Sequence, residues 1–151
     1  MMEWQRYQYR VSTDPGLLQL AVIHPFLRES YWAQDIPLAR VERALAGALC
    51  FGLYDGERQI GLARVITDHA TFAYVSDVFV LPAWQGQGLG QWLMSCVLAH
   101  PDLQGLRRIM LSTLDAHTLY RKQGFSELRY PERMMEIFNE EVYRDSENRL
   151  G

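Results

Sequence analysis

Cysteine is scarce in this chain: Cys50 and Cys96 are the only two among 151 residues. Two thiols do not build a disulfide scaffold, and no C-x-x-C pair is present. Cys50 falls in a strand-like run and Cys96 on the apolar face of a helix, so both are expected to be buried and inert in a reducing cytoplasm. The four histidines, His24, His69, His100 and His117, are far apart in sequence, and no metal site is expected. No apolar run reaches the ~18 residues that a membrane span needs. The opening Met1-Met-Glu-Trp-Gln-Arg-Tyr lacks the apolar core of a secretory signal. Basic residues do not dominate: 15 Lys and Arg stand against 18 Asp and Glu, a formal net charge of −3. Neither a nucleic-acid partner nor a membrane is therefore expected. Repeats, low-complexity tracts and linkers are also missing. With 48% hydrophobic and 22% charged residues, the composition is that of one ordinary domain over 1–151, its charged residues 140–151 forming a tail.

What is present is a regular succession of elements. Residues near Tyr7 to Val11 alternate aromatic and polar, as a first strand does. Asp14-Pro15 is a helix start, with Pro at the first helical position, and Leu17, Leu18, Ala21 and Ile23 carry a helix to about Arg28. Ser30 to Pro37 is an aromatic loop. Leu38 to Ala46 is a second helix, with Val41 and Leu45 on one face. Ala48–Tyr54 and Ile60–Thr67 read as strands joined at the Asp55-Gly56 turn, with Ile60, Leu62 and Ile66 on one face. Thr71–Leu81 is a long strand. Leu89, Trp92, Leu93, Cys96 and Val97 recur at helical spacing, and His100-Pro101 ends that helix. Arg108–Ser112 is a short strand and Asp115–Gln123 a helix stopped by Gly124. Phe125–Leu128 and Met134–Phe138 suggest a closing pair of strands. The order β-α-α-β-β-β-α-β-α-β-β is that of an α+β fold: a mixed, mostly antiparallel sheet of six to seven strands flanked by about four helices.

The most informative stretch is Asp77-Val-Phe-Val-Leu-Pro-Ala-Trp-Gln85-Gly-Gln-Gly88-Leu-Gly90. A β-forming run stops at Pro82, a turn rich in Gly and amide side chains follows, and a helix then begins. Helix N-termini carry unpaired N–H donors and a partial positive charge, which suits them to phosphate. Glycines at 86, 88 and 90 let the backbone approach an anion without an intervening Cβ. Their spacing, G-x-G-x-G, differs from the G-x-G-x-x-G of dinucleotide-binding domains. The plain alternative is a tight strand-to-helix turn.

The chain resembles the GCN5-related N-acetyltransferase (GNAT) superfamily. The family's signature, Gln or Arg, two residues, Gly, one residue, then Gly or Ala, stands here as Gln85-Gly-Gln-Gly88-Leu-Gly90. A second block, Ala116-His-Thr-Leu-Tyr120-Arg-Lys-Gln-Gly124-Phe125, is similar to the family's A-x-x-L-Y-x-K-x-G-F. The resemblance runs from about Tyr74 to Leu128. It implies acetyl-CoA as co-substrate, with the pyrophosphate on the amides of Gln85, Gly86, Gln87, Gly88, Leu89, Gly90 and Gln91. The side chains of Gln85, Gln87 and Gln91 either add hydrogen bonds or are solvated. It implies that the pantetheine arm lies along Val78, Phe79 and Val80, contacting their backbone.

The resemblance also places Tyr120 as general acid. A phenol with a pKa of about 10 stays protonated at neutral pH and can protonate a thiolate whose conjugate thiol lies near ~8.5. The base is sought among carboxylates of the same strand, where Asp77 is the only one. Strict alternation puts Tyr74, Ser76, Val78 and Val80 on one face and Asp77 on the other. Asp77 reaches the pocket only if a bulge re-aims it; otherwise it caps a loop or pairs with an Arg. Tyr31 and Trp32 are candidate walls of an acceptor pocket with Tyr74 and Ser76, and Asp35 is a candidate attractor of a cationic amine. His69 and His117 are expected at the surface rather than as catalytic bases, with His117, three residues from Tyr120, a candidate cofactor contact, and Thr113 or Asp115 stands where many relatives carry Asn.

The implied function is acetyl transfer from acetyl-CoA to a small primary amine by direct attack on the thioester. The alternative is a non-catalytic acyl-CoA-binding sensor or interaction module of the same fold. A third reading, a nucleotide-binding regulator, predicts affinity for ATP or NAD. A homodimer remains open, because strand edges near the C-terminus can pair between subunits.

Overall fold

A computed structural model describes residues 1–144. Six strands form one sheet in which spatial order equals chain order. They are β1 (Glu3–Arg6), β2 (Tyr9–Ser12), β3 (Leu49–Asp55), β4 (Arg58–Thr67), β5 (Phe72–Val80) and β6 (Arg108–Leu111). Helices α1 (Leu20–Glu29) and α2 (Leu38–Ala46) lie between β2 and β3, α3 (Leu89–Ala99) between β5 and β6, and α4 (His117–Arg121) after β6. Neighbouring strands from β1 to β5 run antiparallel, and β6 joins β5 in parallel after the α3 crossover. The α+β class and mixed sheet expected from the sequence are present.

The sheet is buried on both faces. One face packs Val11, Phe51, Leu53, Val65 and Val75 against Leu89, Leu93, Met94, Cys96 and Val97 of α3. The other packs Leu62 and Phe79 against Ile23 and Leu27 of α1 and Val41 and Leu45 of α2. Phe79 stacks on Phe26 at 4.0 Å. Each fully buried aliphatic or aromatic side chain contributes roughly 1.5–3 kcal/mol by leaving water. Both thiols are buried as expected, and that burial pushes Cys50 up to about 11 and Cys96 up to about 12. Neither thiol is a nucleophile at neutral pH.

The structure departs from the sequence pattern in several places. The first strand is a hairpin, β1 and β2, turned at Tyr7, whose φ is 57°. Asp14-Pro15 opens a single 3-10 turn, Pro15–Leu17, in which Gly16 N–H donates to the Asp14 carboxylate at 2.9 Å. The helix proper starts later, at Leu20, and carries Pro25 within it. Ile60, Leu62 and Ile66 do not share a face. A register shift against β3 moves Ile60 to the α3 side while Leu62 faces α1 and α2, and Ile66 is exposed. Helix α4 is shorter than expected, and neither Phe125–Leu128 nor Met134–Phe138 forms a strand. A Pro131–Arg133 turn interrupts that region, and neither segment pairs with the sheet, so their β-forming side chains have no ladder to join. Of the expected tail 140–151, residues 145–151 lie outside the described residues, and Tyr143 packs against the α1 and α2 side of the core. Among the described residues, no helix is long and apolar enough to cross a membrane.

Leu93 is fully buried between α3 and the sheet. We expect Leu93→Ala to cost about 3 kcal/mol, measured by chemical denaturation, with no change in the far-ultraviolet circular dichroism of the folded protein.

Candidate active site

The site begins with an irregularity in β5. Arg64 of β4 pairs with Ser76, but Leu62 pairs with Phe79, so Asp77 and Val78 together oppose the single residue Ala63. This is a β-bulge, and Asp77 takes a left-handed φ of 53° to make it. The bulge resolves the alternation problem. Asp77 now faces the same cavity as Tyr74 and Ser76 instead of the opposite side of the sheet.

Asp77 is buried, and both of its oxygens are engaged. Trp32 Nε1–H donates to Oδ1 at 2.8 Å and Arg64 Nε–H to Oδ2 at 2.7 Å. The same guanidinium reaches Ser76 Oγ at 3.5 Å. An unpaired carboxylate at this depth would carry a large desolvation cost; Arg64 offsets it and holds the oxygens in place. The sequence reading missed Arg64. Its signal was there, a single cation inside the apolar run Ile60-Gly-Leu-Ala-Arg-Val-Ile66, because such a residue must meet a buried anion or open onto a cavity.

A second irregularity opens the cavity. β5 and β6 pair only from Phe72↔Arg108 to Val75↔Leu111. Beyond that point β5 continues to Val80 while β6 ends at Leu111 and runs on through Ser112 and Thr113 unpaired with it, and the sheet forks. A cavity of about 350 Å³ lies at the fork. Tyr74, Ser76, Asp77 and Val78 line it from β5, Tyr31 and Trp32 from the loop after α1, and Thr113, Asp115 and Tyr120 from the far prong. Tyr31 ties the walls together: its ring meets Trp32 edge-on at 5.1 Å, and its hydroxyl accepts from Leu114 N–H at 3.1 Å.

Tyr120 stands on α4, packed against the α3-side core and edge-on to Phe125 at 5.8 Å. Burial pushes its phenol above the ordinary range, and neighbouring Tyr31 adds a smaller push in the same direction. The hydroxyl therefore stays protonated through neutral pH.

At the other end of the fork, Leu81 N–H donates to Ile60 C=O. Because the ladder alternates, the amide groups of Val80 then point toward the open edge, and Gln85 Nε2 donates to Val80 C=O there at 2.8 Å. The chain passes through a 3-10 turn, Pro82–Trp84, anchored by Trp84 Nε1–H donating to Asp55 at 2.9 Å and by Arg58 over the Trp84 ring at 4.9 Å. Gly86 and Gly88 then take φ of 83° and 79°, which a side chain would strain, and a Cβ added at either would meet nothing within 4 Å. Gly88 caps α3 without a side-chain hydrogen bond, so no capping side chain competes for the first-turn N–H groups. Tyr9 Oη donates to Gln87 Oε1 at 3.1 Å and fixes the loop to β2. The side chains of Gln85 and Gln87 thus shape the loop from within the protein. Gln91 contributes its carbonyl, which accepts from Gln123 Nε2 at 2.9 Å and ties α3 to the end of α4. Leu89 is anchored in the core.

Two expectations fall outside this arrangement. Asp35 does not line the cavity; it pairs with Arg144 at 3.6 Å. His117 borders a different, larger groove. Among the described residues, no cluster of side chains is suited to a metal ion. The open cradle, the glycines and the unpaired helix donors together fit a diphosphate.

Replacing Arg64 with Met leaves the Asp77 carboxylate buried beside Trp32 alone. We expect a loss of about 3 kcal/mol at neutral pH. The loss is read by chemical denaturation of the variant against the parent protein.

Comparison with known proteins places these features in context. A family model described as an acetyltransferase (GNAT) domain matches residues 46–127. A protein of Gibberella zeae, named for an inferred acetyltransferase activity, is 39% identical over 142 residues, covering 79% of each chain. The crystal structure of a GNAT-family protein from Xanthomonas campestris superposes with a TM-score of 0.87 at 51% identity, covering 89% of this chain and 96% of that one. A GNAT-family acetyltransferase of Elizabethkingia anophelis with acetyl-CoA bound shares the fold, with a TM-score of 0.63 at 14% identity, over 89% and 90% of the two chains.

Proposed function

This chain belongs to the GNAT acetyltransferase family, and from that premise we propose that it transfers acetyl from acetyl-CoA to a small primary amine. The observation that carries this reading is the fork between β5 and β6, which leads from the Gly86–Gly88 cradle to a cavity bordered by both Asp77 and Tyr120. Bound along the fork, acetyl-CoA would supply an acetyl thioester open to direct attack by the amine.

The protein's own residues do the rest. Backbone N–H groups of 86–91 hold the diphosphate at the start of α3. The backbone of Val78, Phe79 and Val80 aligns the amide-bearing arm, which takes the place of a missing strand. Tyr31, Trp32, Tyr74 and Ser76 enclose the acceptor and exclude water. An alkyl ammonium must lose a proton before it attacks. Asp77, with a lone pair left on each oxygen, receives that proton through a water. Arg64 holds the carboxylate in place, and Tyr120 gives its proton to the departing sulfur and recovers one from the acylated nitrogen. The cavity of about 350 Å³ suits a small acceptor rather than a folded protein surface. Two buried free thiols suit a reducing compartment such as the cytoplasm.

The second reading, an acyl-CoA-binding module without turnover, draws on the engagement of both Asp77 oxygens. A thiol-release assay with acetyl-CoA and a panel of polyamines, amino acids and aminoglycosides separates the two. Turnover with any amine supports the enzyme; tight acetyl-CoA binding with no turnover supports the module.

We expect Tyr120→Phe to lower kcat about 10²-fold with little change in KM. Because burial raises the phenol, the wild-type alkaline limb should lie above the ordinary phenol range and vanish in the variant. Gly88→Val, forced into its left-handed φ, should weaken acetyl-CoA binding about 10-fold or more by calorimetry.

A further inference from the structure

The lining of the cavity at the fork is matched to one positive charge. It contains two carboxylates, Asp77 and Asp115, and no Lys, Arg or His. Arg64 already pairs with Asp77 at 2.7 Å. Asp115 is exposed and makes no ion pair among the described residues. A polycation seated here would strip water from ammonium groups that meet no counter-charge, which is costly.

The mouth of the cavity is aromatic, and its rings are fixed from below. Phe79 stacks on Phe26 at 4.0 Å, Phe26 meets Trp32 at 6.3 Å, and Trp32 meets Tyr31 edge-on at 5.1 Å. The row runs from the core outward, and its last two members stand in water, Trp32 at 38% and Tyr31 at 63% exposure. Their loop is braced at both ends. Ala33 N–H donates to Ser30 Oγ at 3.1 Å, and His24 Nε2–H donates to Ile36 C=O at 2.9 Å. The wall is therefore in place before an acceptor arrives. The polar atoms of both outer rings are already engaged, Trp32 Nε1–H by Asp77 and Tyr31 Oη by Leu114 N–H. What the pair presents to a ligand is ring surface, and exposed rings bordering a cavity mark a contact site.

Granted the transfer reaction proposed above, we infer that the acceptor is a monoamine with an apolar body about the size of one ring. The body lies on Tyr31 and Trp32, and the nitrogen reaches between Asp77 and Tyr120. The nitrogen bonds to the acetyl carbon as the C–S bond breaks. Of the two protons the ammonium loses, one leaves with coenzyme A as its thiol and one passes to solvent. Asp115 answers the single charge of the incoming amine, and burial of the apolar body supplies the preference over a smaller amine.

The test is thiol release from acetyl-CoA by the full chain with four amines: ethylamine, 2-phenylethylamine, spermidine and tobramycin. The kcat/KM for 2-phenylethylamine should exceed that for ethylamine about 10-fold or more. Spermidine and tobramycin should fall about 10-fold or more below 2-phenylethylamine. Tyr31→Ser, at an exposed position, should bring the two monoamines within about 3-fold of each other, and Tyr31→Phe, which keeps the ring, should restore the wild-type ratio. Equal use of the two monoamines overturns the inference. So does a higher kcat/KM with spermidine or tobramycin, or a ratio that Tyr31→Ser leaves unchanged; each of these leaves acetyl transfer itself standing. Absence of turnover with all four amines, while calorimetry shows acetyl-CoA bound, overturns the transfer reading and the inference together.

Discussion

The parting of β5 from β6 is the constraint on which the rest of the molecule depends. Two parallel strands that stay paired along their whole length would leave no edge for an amide-bearing ligand and no cavity between them. Here the ladder stops at Val75↔Leu111, and the bulge at Asp77 and Val78 follows immediately on β5. The bulge bends the strand away from its neighbour and re-aims one carboxylate in the same step. The backbone strain of a left-handed Asp77 is held in place by two hydrogen bonds from different elements, Trp32 of the loop after α1 and Arg64 of β4. Strain of this kind persists where the surroundings over-determine it, and such places are commonly functional.

That clamp also sets the electrostatics of the cavity. Asp77 brings a carboxylate into a buried position, and Arg64 lies against it at 2.7 Å. Beside that pair the cavity is lined by the Asp115 carboxylate and the rings of Tyr31, Trp32 and Tyr74. Tyr120 shares the cavity as a neutral donor, since burial keeps its proton on.

Local signals in the sequence were reliable wherever the local chain decides the outcome. The Asp55-Gly56 turn, the run Phe72–Val80, the helical spacing from Leu89 to Val97 and the glycines at 86 and 88 all have the structure their residue types require. The expectation that Asp77 enters the pocket only through a bulge was correct in form, yet the bulge itself was not legible. It arises from register between β4 and β5, a long-range property with no mark in either strand alone. Ile60 was assigned to the wrong face for the same reason, through a shift against β3. Arg64 escaped notice because its partner lies thirteen residues away across a strand pair. The closing strands at Phe125–Leu128 and Met134–Phe138 failed differently. Their residues are good β-formers, but a strand also needs an edge to bond, and within the described residues they have none.

Strand order and chain order coincide in this sheet, from β1 to β6. A nascent chain leaving the ribosome can therefore lay down each strand on the one made just before it, with no gap to be filled later by a distant piece. Synthesis reaches the glycine-rich loop with five strands already available to support it, Tyr9 among them to hold Gln87. The prong that carries Tyr120 emerges after α3. Maturation of the cavity is thus vectorial: a ribosome-bound intermediate stalled after α3 would possess the loop but lack the wall that Tyr120 supplies.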